Sequence, residues 1–282
     1  MSISKSSKPD ISDLGVEVGS ILGGYLFNSD YLHYGYWPDD LEVKASNVRE
    51  AQRLYAQLIH THIPGTVSKV LDVGCGVGKF AEELLDKGYE VDCVSPSAFL
   101  TGKTRDRLGD RVHIYESRFE DIQTDRTYDL ILFSESFQYI HIRPALNKSI
   151  ELMADDAHLL ICDFFRREAV DNSPIRGGHS LDKFYDFVQD YPLKLITDLD
   201  VTRETAPSLD IINELLTNLE LPMVGALGDY LTVRHPMISR AISWIFKSRI
   251  DGLIERHRAT NRESFTRFKS YHLFLYQRGV DL

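Results

Sequence analysis

Three glycines on alternate positions, Gly74, Gly76 and Gly78, close a short apolar run that carries a single acid, Asp72. The run from Val67 to Val73 is short, rich in β-branched residues and broken by glycine, which predicts a buried strand. The segment after it, Lys79 to Gly88, has helical spacing and a glycine stop. The glycines therefore fall in a strand-to-helix turn. Without Cβ atoms they let a ligand lie against bare backbone, at the positive end of a helix.

Later segments repeat the alternation. Tyr89–Val94, Arg111–Tyr115, Tyr128–Phe133 and Ala157–Asp163 read as further strands, and helical patterns separate them. Leu193–Leu199 and His272–Tyr276 supply two more strands near the end. Strands alternating with helices imply a parallel sheet joined by crossovers.

The spacing of the turn narrows its ligand. A dinucleotide fingerprint reads Gly-x-Gly-x-x-Gly and cradles a pyrophosphate. Here the spacing is Gly-x-Gly-x-Gly, preceded by Leu71-Asp72-Val73 and followed by an amphipathic helix. That pattern resembles the first motif of the class I S-adenosylmethionine-dependent methyltransferases. The resemblance covers about residues 65 to 165 and the final strand. It implies a Rossmann-like, seven-stranded, mostly parallel α/β sheet with helices on both faces. It also implies that the turn holds the amino-acid part of S-adenosyl-L-methionine and that Asp72 organises its ammonium group. The cofactor set so implied is Tyr34, Asp72, Gly74, Cys75, Gly76, Gly78, Ser95, Phe119, Glu120 and Ser134. Two positions depart from the family. Ser95 stands where most members place a ribose-binding acid; the cyclopropane-forming group similarly places Thr or Ser near this point. Arg118 stands where many place the acid that bonds the adenine, leaving Glu120 as the nearest carboxylate.

The rest of the chain divides around this core. Residues 1–64 read as an N-terminal helical and aromatic cap, 65–200 with 268–282 as the cofactor-binding core, and 201–267 as a helical lid inserted before the last strand. Within the cap, Ser46–His62 has Val48, Ala51, Leu54, Tyr55 and Leu58 on one helical face. Before it, His33-Tyr34-Gly35-Tyr36-Trp37 is similar to runs in the tocopherol, sarcosine and cyclopropane groups, where this segment folds over the cofactor. Aromatic faces suit a sulfonium cation, and they equally suit a core cluster. Gly177 and Gly178 beside His179 read as a flexible loop at the edge of the site. Ser208–Leu219 and Met237–His257 are amphipathic helices that read as a substrate lid or a homodimer contact.

Methyl transfer is an in-line displacement from an already activated sulfonium, so the protein aligns the acceptor and excludes water. A proton-bearing acceptor also needs a base or a solvent path. Glu135 and His141 are the catalytic candidates near the strand ends, with Asp163 beside them. Asp198, Asp200 and Thr202 read as strand-end caps. The function expected is methylation of a small, partly apolar metabolite: a natural product, quinone, isoprenoid or lipid-like acceptor. A cyclopropane-type lipid-modifying enzyme and a non-catalytic S-adenosylmethionine-binding regulatory module are the alternatives.

Composition sets outer limits. With 42 acids against 32 bases the net charge is −10, which disfavours nucleic acid as a partner. Ser134-Glu135-Ser136-Phe137 also stands where a nucleic-acid methylase carries Asn/Asp-Pro-Pro-Tyr/Phe. The three cysteines, Cys75, Cys93 and Cys162, lie in or at the ends of strands and read as buried small hydrophobes, which fits the cytoplasm. No metal-ligand spacing is present. The polar start does not read as a signal peptide, and no apolar run is long enough to span a membrane.

Overall fold

The protein is described from a computed structural model covering residues 23–167, 173, 175–215, 217–218, 221–234 and 260–279. Eight strands form one sheet: β1 Lys69–Val73, β2 Glu90–Val94, β3 His113–Tyr115, β4 Tyr128–Ser134, β5 Met153–Arg166, β6 His179–Ser180, β7 Leu193–Asp200 and β8 Lys269–Arg278. Their order is β3-β2-β1-β4-β5-β8-β7, with β6 pairing β5 off this path. The ladders from β3 across to β5 are parallel, and β8 runs antiparallel to both its neighbours. The expected seven-stranded, mostly parallel sheet is present, and the two-residue β6 is added to it.

The central strands are buried on both faces, so they read as continuous apolar runs rather than alternating ones. Side chains still alternate between faces. Leu130 and Leu132 of β4 join Val70, Val91, Phe80 and Leu84 on one side. Ile131 and Phe133 join Leu71, Ile161, Leu146 and Phe184 on the other. Helices Val48–His62 and Lys79–Asp86 cover the first face, and helices Ile142–Leu152 and Leu181–Val188 cover the second.

Several boundaries differ from expectation for physical reasons. In helix Val48–His62 the buried stripe is Val48, Ala51, Gln52, Tyr55, Ala56 and Ile59. It is rotated so that Leu54 and Leu58 are only half-buried. The polar Gln52 occupies the inner face because it accepts from Ser29 Oγ at 2.6 Å and donates to the His33 carbonyl at 2.7 Å. β5 and β8 outrun their apolar centres because their antiparallel ladder continues from His158↔Gln277 to Arg166↔Lys269. β3 is shorter than expected, because Gly109–Arg111 forms a 3-10 turn.

Of the predicted helix Ser208–Leu219, the stretch Pro207–Leu215 is helical, and a further helix spans Leu221–Arg234. The expected helix Met237–His257 and the polar N-terminal start lie outside the described residues. No helix among the described residues is long and apolar enough to cross a membrane.

Candidate active site

The glycine turn adopts the conformation its composition demands. Gly74, Gly76 and Gly78 have φ of 79°, 58° and 77°, in the left-handed region that side chains with a Cβ adopt at a cost. Their surroundings differ. A Cβ on Gly74 would lie 2.4 Å from the Ser136 Cβ, and one on Gly78 would lie 2.9 Å from the Thr104 Cγ2. A Cβ on Gly76 would meet only Leu32 Cδ1, at 3.3 Å.

A cavity of about 690 Å³ opens over the carboxyl ends of β1, β2 and β4. That size fits a small-molecule site. Its wall brings together Tyr34, Asp72, Gly74, Cys75, Gly76, Ser95, Phe119, Glu120 and Ser134, and also Glu135. Two expected site residues are not on the wall. Gly78 is turned toward helix Ala98–Leu108, where it admits Thr104. His141 is exposed and precedes helix Ile142–Leu152 at its N-cap position.

Asp72 is 3% exposed, and its Oδ2 has no hydrogen-bond partner. Burial pushes its carboxyl up to about 7. A buried, unpaired carboxylate is costly, and a cation placed against it relieves that cost. An amino-acid ammonium supplies such a charge, so this end of the cavity fits the amino-acid part of S-adenosylmethionine. Ser95 is buried and its hydroxyl accepts from the Ser97 N–H at 3.3 Å. Phe119 is buried and meets Phe133 edge-on at 5.2 Å, presenting an apolar surface suited to a flat ring. Glu120 is ion-paired with Arg118, so the basic residue at the usual acidic position is neutralised by its neighbour.

Glu135 follows β4 with φ of 53°, a left-handed backbone state uncommon for non-glycine residues. Its Oε1 accepts from the Tyr34 N–H at 2.7 Å and the Tyr271 hydroxyl at 2.8 Å. Tyr271 in turn lies 2.8 Å from the hydroxyl of Tyr55. Burial, reinforced by the nearby Asp163, pushes Glu135 up to about 8, while the two donors pull the other way. A carboxyl in that range can exchange a proton near neutral pH.

Asp163 has a different task. It is fully buried, and it accepts from the N–H groups of Gln138 at 3.0 Å and Phe164 at 2.8 Å. It therefore fixes the loop after Glu135 and is not on the cavity wall. His179 lies in β6 and is held within 3.1 Å of the Phe137 carbonyl and 2.8 Å of the Ile140 carbonyl. It pins the same loop.

The N-terminal segment, residues 23–37, straps across the cavity. Ser208 of helix Pro207–Leu215 accepts from the Gly35 N–H at 2.9 Å and from Trp37 Nε1 at 3.0 Å. Trp37, Val48, Ala51 and Ile211 form one buried cluster. Asp30 pairs with Arg107 at 2.8 Å, and the Tyr31 hydroxyl bonds Glu83. Sequence reasoning missed Gln52, Tyr55, Ser208 and Tyr271, because each is defined by partners far away in the chain. His33 stood in the aromatic run, but no spacing rule distinguished it from its neighbours.

Comparison with known proteins places the family and the fold. A model described as a methyltransferase domain matches residues 48–193. Methyltransferase GfsG of Streptomyces halstedii is 28% identical over 220 residues, covering 71% of this chain and 78% of the relative. An uncharacterized methyltransferase of Staphylococcus carnosus (strain TM300) is 25% identical over 173 residues, covering 59% of this chain and 78% of the relative. Among solved structures, the cyclase SpnF matches with a TM-score of 0.70 at 15% identity, over 96% of this chain and 95% of that one. This last likeness is one of fold.

Proposed function

The chain belongs to the methyltransferase-domain family, and from that premise we propose that it moves the methyl group of S-adenosyl-L-methionine onto a small, partly apolar metabolite. When bound, the cofactor supplies a methyl group activated by its sulfonium. The observation that carries the reading is the unpartnered Oδ2 of Asp72 beside the glycine turn, a buried acceptor awaiting a cationic donor. Asp72 and the turn hold the amino-acid end, Ser95 meets the ribose, and Phe119 backs the adenine.

The acceptor lies against Tyr34, Tyr139, Ile211, Ile212 and Leu215, which share the cavity with the cofactor residues. Helix Pro207–Leu215 serves as the lid over it. Lys79 and Arg118 are on the wall, and both are ion-paired, with Glu82 at 2.8 Å and with Glu120. Glu135 takes the acceptor's proton. Its Oε1 is occupied by Tyr34 and Tyr271, so Oε2 is the oxygen left for that work.

Calorimetry with S-adenosylmethionine and S-adenosylhomocysteine tests the cofactor site, and absence of binding to both overturns the reading. A methyl-transfer screen over phenols, alcohols, amines, quinones and isoprenoids then finds the acceptor. With an oxygen or nitrogen acceptor, Glu135→Gln lowers kcat by about 10²- to 10⁴-fold, the usual worth of a positioned base. It leaves S-adenosylhomocysteine affinity unchanged within about twofold.

A further inference from the structure

We infer that His33 is a cofactor-binding residue whose Nε2 accepts a hydrogen bond from the cofactor's α-ammonium, which it shares with Asp72. The inference rests on the methyltransferase reading and adds a residue outside the cofactor set that the sequence implied. Among the described residues, four buried side-chain polar atoms have no partner: His33 Nε2, His60 Nδ1, Asp72 Oδ2 and Ser270 Oγ. His33 and Asp72 line the cavity; His60 and Ser270 do not.

The protonation of His33 follows from its contacts. Nδ1 is 2.7 Å from the Tyr34 carbonyl, which can only accept, so Nδ1 carries the proton. Burial holds the ring neutral, pulling its pKa down to about 4. Nε2 is therefore a bare lone pair.

The ring is also held in place. It lies 4.2 Å from the Tyr55 ring and 4.8 Å from the Tyr31 ring, centroid to centroid. The Tyr55 hydroxyl reaches Ser134 Oγ at 3.3 Å and the Cys162 carbonyl at 3.2 Å, which sets His33 near the carboxyl end of β4 and the Cys162 level of β5. Its neighbour Leu32 packs over Gly76. His33 thus stands at the glycine-turn end of the cavity, and Ser95 and Phe119 stand beyond β1, at the ends of β2 and β3.

Chemistry selects the ligand group. The hydrogen donors of S-adenosylmethionine are the adenine amino group, two ribose hydroxyls and the α-ammonium. The ammonium alone combines a positive charge with three N–H bonds, so it can satisfy a carboxylate and an imidazole lone pair together. A neutral second acceptor suits this place. A second carboxylate would repel the cofactor's own α-carboxylate, whereas a neutral imidazole adds a directed bond without added charge.

The test is a binding comparison, independent of turnover. S-adenosylhomocysteine and its analogue with hydrogen in place of the α-amino group are titrated calorimetrically into the wild-type protein and His33→Phe, which keeps an aromatic ring against Tyr55. The expected result is a loss of about 10- to 100-fold for S-adenosylhomocysteine, the worth of a hydrogen bond to a charged group. The deaminated analogue should change by less than about threefold, since the lost bond is absent from it. Equal losses for both ligands would mean a structural role, and no loss for either would mean that water satisfies Nε2. Either outcome overturns the inference. Should His33→Phe fail to fold, His33→Gln carries the test. It keeps an acceptor, so it is expected to retain the preference for the amine-bearing ligand, and loss of that preference in a folded His33→Gln overturns the inference. If the wild type itself binds no S-adenosylhomocysteine, the methyltransferase reading fails first, and the two failures are distinguishable.

Discussion

Gly74 and Gly76 share a backbone conformation and differ in what a methyl group would strike. At Gly74 it would meet Ser136 Cβ at 2.4 Å, too close without a shift of the loop after β4. Gly74→Ala therefore combines left-handed strain with overpacking, and stability falls by about 2–4 kcal/mol in denaturant titration. At Gly76 the neighbour is the flexible end of Leu32, so Gly76→Ala costs about 1–2 kcal/mol of strain. The new methyl group stands on the cavity wall, and S-adenosylhomocysteine affinity drops more than about tenfold, a difference of at least about 1.4 kcal/mol. Both glycines stand on the cavity wall, and of the two only Gly74 is also pressed against the loop after β4. The motif spacing made the turn legible, because alternate glycines after an apolar run have few other uses. It did not reveal that Gly78 serves Thr104, since that neighbour arrives on a later helix. Nor did position alone reveal that His141 faces outward while Glu135, a few residues earlier, faces in.

At the level of elements, the strap and the lid helix depend on one hydroxyl. Ser208→Ala removes the acceptor used by Gly35 N–H and Trp37 Nε1, leaving two buried donors unpaired. Each unpaired donor costs about 1–3 kcal/mol. The expected result is a lower melting temperature together with faster release of S-adenosylhomocysteine, measured by stopped-flow competition; a melting change with unchanged release would leave the strap without a gating role. The strands of the sheet were legible from short apolar runs, because burial on both faces writes itself into composition. β6 was not, since two residues have no period. The rotation of helix Val48–His62 was hidden for a related reason. Gln52 faces inward only because Ser29 and His33 supply its bonds, and hydropathy assigns glutamine to solvent.

Over the whole molecule, three buried acids make stability fall as pH rises, partly opposed by the buried, neutral His33. Asp72 and Asp163 are pushed up to about 7 from 3.8, and Glu135 up to about 8 from 4.5, chiefly by burial. Each therefore holds its proton longer in the folded chain than in the unfolded one. The stability they confer is complete below their unfolded values and is lost as pH rises through about 7 to 8. The melting temperature of the ligand-free protein should fall by several degrees between about pH 5 and about pH 8. Saturating S-adenosylmethionine should flatten that fall, because its ammonium lets Asp72 ionise at lower cost. Binding near neutral pH then releases a proton, visible as an enthalpy that varies with the ionisation heat of the buffer. A melting profile indifferent to pH across this window would contradict the burial of these acids.

Among the described residues, one continuous cavity reaches from Asp72 to the strap and the lid. Its exposed wall residues include Leu26, Leu32, Tyr139 and Ile212, on the strap, the loop after β4 and the lid, and also Asp30, Pro96 and Arg118, whereas Asp72 and Ser95 are buried. A group bound to Asp72 thus sits deeper than an acceptor placed among the strap, loop and lid residues. An acceptor seated there should slow release of the demethylated cofactor, measured by stopped-flow competition with and without the acceptor.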